Sequence, residues 1–198
     1  MNDPIRRILL PVLLILPLVL LAGCRTYATP IPPGEIAGHP LKTINDAFIK
    51  AVEDAHADPD ITWHSGWMGN TLVNALGGNN KGLCTDWQEL IYNAVAPVAR
   101  KHGWEATGIT VDENNRWEHH AVVIYDPRKV RWENLLEKPD GAYVLDGWLR
   151  GRPDTYPLGL WIRTELDNHG IVQLEDLAAE HERAKAGDVT NPMPQHQS

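Results

Sequence analysis

Residues 81–87 read K-G-L-C-T-D-W and place Cys84 where a glycine-containing loop gives way to a helix. After Cys84 the apolar residues recur at helical spacing, namely Trp87, Leu90, Ile91, Ala94 and Val95. The spacing predicts a helix whose first turn carries the thiol. Free backbone N–H groups and the positive end of a helix dipole stabilise a thiolate, so we expect a lowered pKa for Cys84, as a nucleophile requires.

The amino-terminal segment resembles a bacterial lipoprotein signal. Arg6 and Arg7 precede the apolar run 8–21, and Leu-Ala-Gly-Cys closes it at Cys24. The resemblance implies that a signal peptide, residues 1–23, is removed and that Cys24 is lipidated and anchors the protein in a membrane. The alternative is an uncleaved signal anchor, which does not explain a cysteine directly after Ala-Gly.

The resemblance to a lipoprotein signal implies a location on the periplasmic side of a bacterial cell envelope. Arg25 follows the predicted lipidation site, where many lipoproteins retained at the inner membrane have an aspartate, so we expect the outer membrane rather than the inner one. The chain has 2 cysteines, so a lipidated Cys24 leaves Cys84 without a disulfide partner. An exported protein that keeps one free thiol uses it for chemistry, or buries it as an inert residue.

Composition indicates one globular domain and argues against a nucleic-acid partner. The chain is 43% hydrophobic and 22% charged, and its net charge of −8 opposes binding to phosphate backbones. We predict a domain over residues 41–186, because the helical and strand patterns lie there. Residues 24–40 are rich in Pro, Gly and Thr and predict a mobile tether, and residues 187–198 predict a disordered tail.

The hydrophobic periodicity predicts a mixed α+β fold. Helices are expected near residues 44–55, 70–76, 84–101 and 174–185, with an interruption of the third at Pro97. Strands are expected at 104–111, 117–125 and 142–146, with weaker candidates at 130–136 and 159–163.

The chemistry-bearing residues fall at the ends of these elements. His119 and His120 are adjacent on a strand, so they point to opposite faces and only one can face the helix that carries Cys84. Asp146 ends an apolar strand and needs a polar partner, because an unpaired buried carboxylate is costly. A histidine on the neighbouring strand is such a partner, which gives the chain order Cys, His, Asp.

Four motifs in order resemble the transglutaminase-like branch of the papain-like cysteine enzymes. They are G-L-C-T-D-W-Q-E-L, A-R-K-H-G-W-E-A-T-G-I, H-H-A-V-V-I-Y and Y-V-L-D, within residues 82–147. The resemblance implies a papain-like α+β domain, in which the nucleophile's helix packs on an antiparallel sheet. It assigns the triad to Cys84, His120 (the histidine directly before alanine) and Asp146.

The same resemblance implies a reaction and a substrate class. Amide or peptide bonds would be cleaved or transferred through a thioester at Cys84, without a cofactor or metal. The substrate would be a peptide or protein, including cell-wall peptide. The alternative is a catalytically inactive lipoprotein that uses the fold as a peptide-binding or envelope-assembly module.

Two further features leave alternatives open. A metal site could combine the run 118–120 with His64 and Asp126, but adjacent histidines on a strand point apart and do not easily ligate one ion. The oxyanion donors of an acyl-transfer site would include the amide of Cys84 and one side chain, and the sequence does not choose between them. The candidates are Trp67, Asn70, Asn79 and Asn80.

Overall fold

The computed structural model describes residues 27–113, 117–168 and 171–185. The predicted signal peptide 1–23, the lipidation site Cys24 and the tail 187–198 lie outside these residues. Within the described ranges, no helix is long and apolar enough to span a membrane.

The chain folds into a mixed α+β structure, as the periodicity predicts. In chain order its elements are α1 (Leu41–Ala57), β1 (Thr62–Trp63), α2 (Gly66–Leu76), β2 (Asn80–Lys81), α3 (Cys84–Lys101), β3 (Glu105–Val111), β4 (His119–Tyr125), β5 (Ala142–Asp146), β6 (Asp154–Pro157), α4 (Leu158–Asn168), β7 (Val172–Glu175) and α5 (Leu177–Lys185).

An antiparallel sheet of order β6-β5-β4-β3-β7 forms the middle of the fold. Its central strand β4 is buried along its whole length. Val122 and Ile124 pack with α1 and α3 on one face, and Ala121 and Val123 pack with α4 on the other. Both faces of the sheet are therefore covered, which explains why β4 is apolar on both sides between its histidines and Tyr125.

The strong patterns of the sequence correspond to real elements. Strands β3, β4 and β5 and helix α3 lie where the alternation and the helical spacing predict them. The predicted interruption at Pro97 is wrong, because α3 continues through it to Lys101. A proline removes one backbone donor, and burial of the residues on both sides, Ala96 and Ala99 among them, keeps the helix together.

Weaker patterns gave three wrong elements and missed strand β6. The run 159–163 belongs to helix α4, and 130–136 holds a short 3₁₀ turn, Trp132–Asn134. The predicted helix 174–185 is split into β7 and α5. Asp176 causes the split, since its Oδ1 accepts the N–H of Ala179 at 2.9 Å and so caps a helix that starts after it.

The described part of the predicted tether packs on the domain rather than being free. The amide of Ile31 donates to the carbonyl of Thr155 at 2.7 Å, which covers the outer edge of β6. Ala28 and Ile36 are buried in the two apolar clusters. Folded structure thus precedes residue 41, because these apolar side chains and the exposed strand edge provide a surface for the segment.

A close backbone contact fixes the loop that leads to Cys84. Gly82 has φ +134°, and a Cβ at this position would lie 2.2 Å from the carbonyl oxygen of His64. That carbonyl also accepts the indole N–H of Trp87 at 2.7 Å. Only glycine fits both the dihedral and the space, so the start of α3 is held against residue 64.

We predict that Gly82→Ala lowers the free energy of unfolding by more than about 2 kcal/mol, because strain and a backbone clash act together. Thermal unfolding followed by circular dichroism measures the change. The matched control is Gly34→Ala, where an added Cβ meets nothing within 4 Å. Equal melting temperatures for the two variants would contradict the proposed role of Gly82.

Candidate active site

The N-terminus of α3 brings Cys84 to the beginning of β4. Asp86 Oδ2 accepts the backbone N–H groups of Gly82 and Leu83, both at 3.0 Å, and caps the helix. One turn further, Gln88 Nε2 donates to the carbonyl of Ala121 at 2.9 Å. The start of α3 is therefore capped against its own loop, and the turn after the thiol is bonded to β4.

Cys84 lies beside the part of β4 that strand β5 leaves unpaired. Strand β5 pairs with β4 only from Val122 to Tyr125, so it does not reach residues 118–120. The thiol donates to the carbonyl oxygen of Glu118 at 3.8 Å, and the backbone of His120 hydrogen-bonds to the sulfur. The sulfur thus lies near the plane of the sheet, between the face that carries His119 and the face that carries His120.

Burial raises the pKa of Cys84 to about 12. Hydrogen bonds to backbone groups of His120 and Thr85 oppose this increase, while the nearby carboxylate of Glu118 adds to it. The expectation that the helix start would lower this pKa is wrong for the arrangement seen here. Only 6% of the residue is exposed, so loss of hydration outweighs the helix dipole and the thiol is protonated at neutral pH.

The carboxylate of Asp146 binds His119. His119 Nε2 lies 2.8 Å from Asp146 Oδ2, and both side chains are buried. Because a carboxylate only accepts, Nε2 carries a proton, and in the neutral ring Nδ1 keeps its lone pair. Nδ1 is buried and has no hydrogen-bond partner among the described residues. The ring of Trp148 stacks on the imidazole with centroids 4.7 Å apart.

The prediction that Asp146 binds His120 is therefore wrong. Pleating gives the reason: Asp146 shares a face with Val144, which pairs with Val123, and Val123 shares a face with His119. The other half of the prediction is confirmed, since His120 faces α3 together with Val122 and Ile124. The structure brings Cys84 and Asp146 to the same end of the sheet but places a different histidine on the carboxylate.

His120 binds two glutamates instead. Its Nε2 lies 2.7 Å from Glu118 Oε1 and its Nδ1 lies 3.1 Å from Glu175 Oε1. Burial disfavours charge on the ring, but the two carboxylates outweigh it and raise the pKa of His120 to about 9. Both ring nitrogens then carry protons at neutral pH, and the ring has no lone pair to accept another.

The residues of the metal alternative are not assembled. His64 Nε2 is 2.8 Å from Asn80 Oδ1, and Asp126 binds Arg128 at 2.8 Å, which lowers the pKa of Asp126. In residues 27–113, 117–168 and 171–185, no group of three or more His, Cys, Asp or Glu side chains is arranged as a metal site. The physical reason is the one expected, since adjacent histidines of a strand point to opposite faces.

Two of the four candidate oxyanion donors contact Trp148, whose ring stacks on His119. Asn70 Oδ1 accepts the indole N–H of Trp148 at 3.1 Å, and the ring of Trp67 lies 4.9 Å from that of Trp148. The side chain of Asn80 is bound to His64 and to the carbonyl of Gly77, and Asn79 contributes its carbonyl to β1.

Glu118 was considered only as part of the metal alternative, and neither Glu175 nor the stacking of Trp148 on His119 was predicted. The pairing of Glu118 with His120 could have been predicted, because residues 118 and 120 share a face of a strand. Glu175 carried no such signal, since the pattern around it predicted a helix rather than a strand beside β3.

We predict that iodoacetamide alkylates Cys84 in the folded protein at pH 7 at least about 100-fold more slowly than in denaturant, since a pKa near 12 leaves little thiolate. The rate should still rise with pH beyond pH 10. Mass spectrometry of the peptide that contains Cys84 measures it without interference from Cys24. A plateau reached below pH 8 would show that the folded protein stabilises the thiolate.

No protein-family model, curated protein or solved structure matches this chain. The function is therefore argued from the geometry of the site.

Proposed function

We propose that the protein is a cysteine hydrolase or acyltransferase that acts on amide or peptide bonds. Cys84 is the nucleophile, His119 the base, and Asp146 holds the imidazole in one tautomer. The observation that carries this proposal is the 2.8 Å bond from His119 Nε2 to Asp146, with Nδ1 left without a hydrogen-bond partner among the residues that the structure describes. His119 directly follows Glu118, whose carbonyl binds the thiol.

The fold supports a papain-like, transglutaminase-like assignment, which we include in the proposal. A helix begins at the nucleophile and packs on an antiparallel sheet. The histidine and the aspartate come from neighbouring strands, β4 and β5. These are the relations that the sequence resemblance implies, with His119 in the place predicted for His120.

In the proposed reaction, His119 Nδ1 takes the thiol proton while Sγ attacks the carbonyl carbon of the substrate. The tetrahedral intermediate collapses as the imidazolium gives its proton to the leaving amine, so the C–N bond breaks and a thioester forms. Water or an acceptor amine then attacks the thioester, losing a proton to Nδ1. The sulfur leaves and regains the proton from the ring.

His120 fits the role of base less well than His119. A general base needs a lone pair at the working pH, and both nitrogens of His120 lie against carboxylates. Its raised pKa of about 9 keeps the ring protonated at neutral pH. His119 has one nitrogen on a carboxylate and the other without a partner.

Substrate access requires movement, because only 6% of Cys84 and 3% of His119 are exposed. We propose that α2 is the element that moves. Its Trp67 lies between the rings of Trp117 (5.3 Å) and Trp148 (4.9 Å). Two hydrogen bonds also tie α2 to Trp148, from the indole N–H to Asn70 Oδ1 and from the amide of Gly66 to the carbonyl of Trp148, but Gly69 is the one buried residue of α2.

The cellular setting is part of the proposal and is supported by the amino-terminal sequence. The lipoprotein-like segment that ends at Cys24 would anchor the enzyme on the periplasmic side of the envelope, in the outer membrane rather than the inner one. Peptides or proteins there, including cell-wall peptide, would be its substrates.

One observation favours a second candidate function, an inactive lipoprotein that uses this fold as a peptide-binding or envelope-assembly module. The thiol is buried, and its hydrogen bond goes to a backbone carbonyl. In that case Cys84 is a small apolar residue of the core and the histidine pair is structural. Turnover measurements separate the two functions.

We predict that Cys84→Ala and His119→Gln each abolish turnover of a peptide amide or thioester substrate, and that the double variant is hardly worse than either. Asp146→Asn should reduce kcat by roughly 10²–10⁴, because it disturbs the tautomer of His119 and leaves the base in place. The measurement is steady-state turnover by purified variants whose fold is checked by circular dichroism. Full activity of His119→Gln would exclude the assigned base, and absence of turnover in the wild-type protein would favour the module.

We predict that Trp67→Ala increases the alkylation rate of Cys84 at pH 9 by at least about threefold, because removing the ring opens a path beside Trp148. The matched control is Leu72→Ala, since Leu72 is on the same helix and 40% exposed. Equal rates for the two variants would show that α2 does not restrict access to the thiol.

A further inference from the structure

His120, whose backbone binds the thiol, lies between two carboxylates that are largely shielded from solvent. The imidazole of His120 bridges Glu118 Oε1 at 2.7 Å and Glu175 Oε1 at 3.1 Å. The three side chains are 8%, 11% and 21% exposed, in that order. We call this set the Glu118–His120–Glu175 cluster. Charged side chains that are this shielded from water need an opposite charge or hydrogen bonds close by, because they lose their hydration.

The cluster is supported by neutral groups from the elements around it. From β3, Thr110 Oγ1 lies 3.2 Å from His120 Nδ1. From α3, Gln88 Nε2 donates to Glu175 Oε2 at 2.5 Å. Gly108 leaves the space for this bond, because a Cβ there would lie 2.5 Å from Glu175 Oε2. Within residues 27–113, 117–168 and 171–185, the charged side chains paired with the imidazole are Glu118 and Glu175, and the thiol of Cys84 is bonded to the backbone of His120.

The cluster touches the nucleophile through its backbone. The carbonyl of Glu118 accepts the thiol hydrogen, and the backbone of His120 hydrogen-bonds to the sulfur. The two residues whose side chains form the short ion pair are therefore the two whose main chain holds Cys84.

We infer that His120 is a positioning residue of the proposed active site: as an imidazolium it offsets one of the two negative charges of Glu118 and Glu175, next to the backbone that holds the sulfur. This inference rests on the proposed function for its catalytic meaning. The electrostatic part is independent of catalysis. Without the imidazolium the cluster would carry both negative charges and repel a thiolate strongly, whereas with it one negative charge remains and the thiolate is repelled less.

The titration of the ring supports this role. Glu118 and Glu175 raise the pKa of His120 to about 9 against the effect of burial, and His120 in turn lowers the pKa of Glu175. A histidine whose pKa is raised on folding stabilises the protein fully below its unfolded pKa of about 6.5. That contribution is lost as the pH rises through 9, so His120 carries its compensating charge throughout the neutral range.

The test compares His120→Gln, Glu118→Gln and the double variant Glu118→Gln/His120→Gln in the full chain. The probe is iodoacetamide at pH 8, below the pKa of about 9 at which His120 loses its charge, and the rate is read at the peptide that contains Cys84. We expect His120→Gln to slow alkylation by about tenfold or more, since one unit of pKa changes the thiolate fraction tenfold. The double variant should recover to within about threefold of Glu118→Gln, because the uncompensated charge nearest the sulfur is gone.

The direction of the effect separates charge from packing. Looser packing would expose the thiol and speed alkylation, whereas uncompensated carboxylates slow it. Thr110→Val is the matched control, because it removes a neutral neighbour of His120 and should leave the rate within about threefold of wild type. Should His120→Gln fail to fold, Glu118→Gln alone decides, and it must alkylate faster than wild type.

Two outcomes would overturn the inference: an alkylation rate in His120→Gln that equals or exceeds wild type, or a double variant no faster than His120→Gln. Turnover measured on the same proteins keeps this result separate from the proposed function. If the wild-type protein turns over no substrate, the enzyme assignment fails while the alkylation rates still decide the role of His120.

Discussion

The site depends on the hydrogen bonds that the carboxylate of Asp146 accepts. One oxygen binds His119 at 2.8 Å, and the other accepts the backbone N–H groups of Trp148 at 3.0 Å and Leu149 at 3.1 Å. A buried carboxylate must have such partners, since desolvation without them costs several kcal/mol. Satisfying Asp146 thus joins β5 to β4 and turns the chain so that Trp148 stacks on the imidazole.

The two adjacent histidines differ because their partners differ. His119 binds one carboxylate through Nε2, and its Nδ1 has no hydrogen-bond partner among the described residues. His120 binds a carboxylate at each ring nitrogen, and these two charges favour its protonated form. Strand pleating makes this difference possible, because adjacent residues of β4 point to opposite faces of the sheet and meet different neighbours. One strand end can therefore supply both a base and a fixed positive charge.

Much of the fold could be predicted from sequence because local periodicity determines it. The alternation of β4 gave the faces of both histidines, and the helical spacing after Cys84 gave α3. The partner of Asp146 could not be predicted in the same way. It depends on the register between β4 and β5, and the irregular connection 126–141 carries no signal that sets a register. Glu175 was missed for a related reason, because β7 is short and directly precedes α5.

The state of the thiol shows why motif and environment have to be considered together. A helix N-terminus favours a thiolate by a fraction of its hydration energy, and this advantage disappears when the sulfur is buried. Cys84 lies at such a terminus and yet has a pKa raised to about 12, because the sheet and α3 close around it. Motion that lets water or substrate reach the sulfur would remove the effect of burial on the pKa. The helix terminus and the backbone of His120 would then favour the thiolate. The burial that raises the pKa of the thiol therefore makes its reactivity conditional on motion that exposes it.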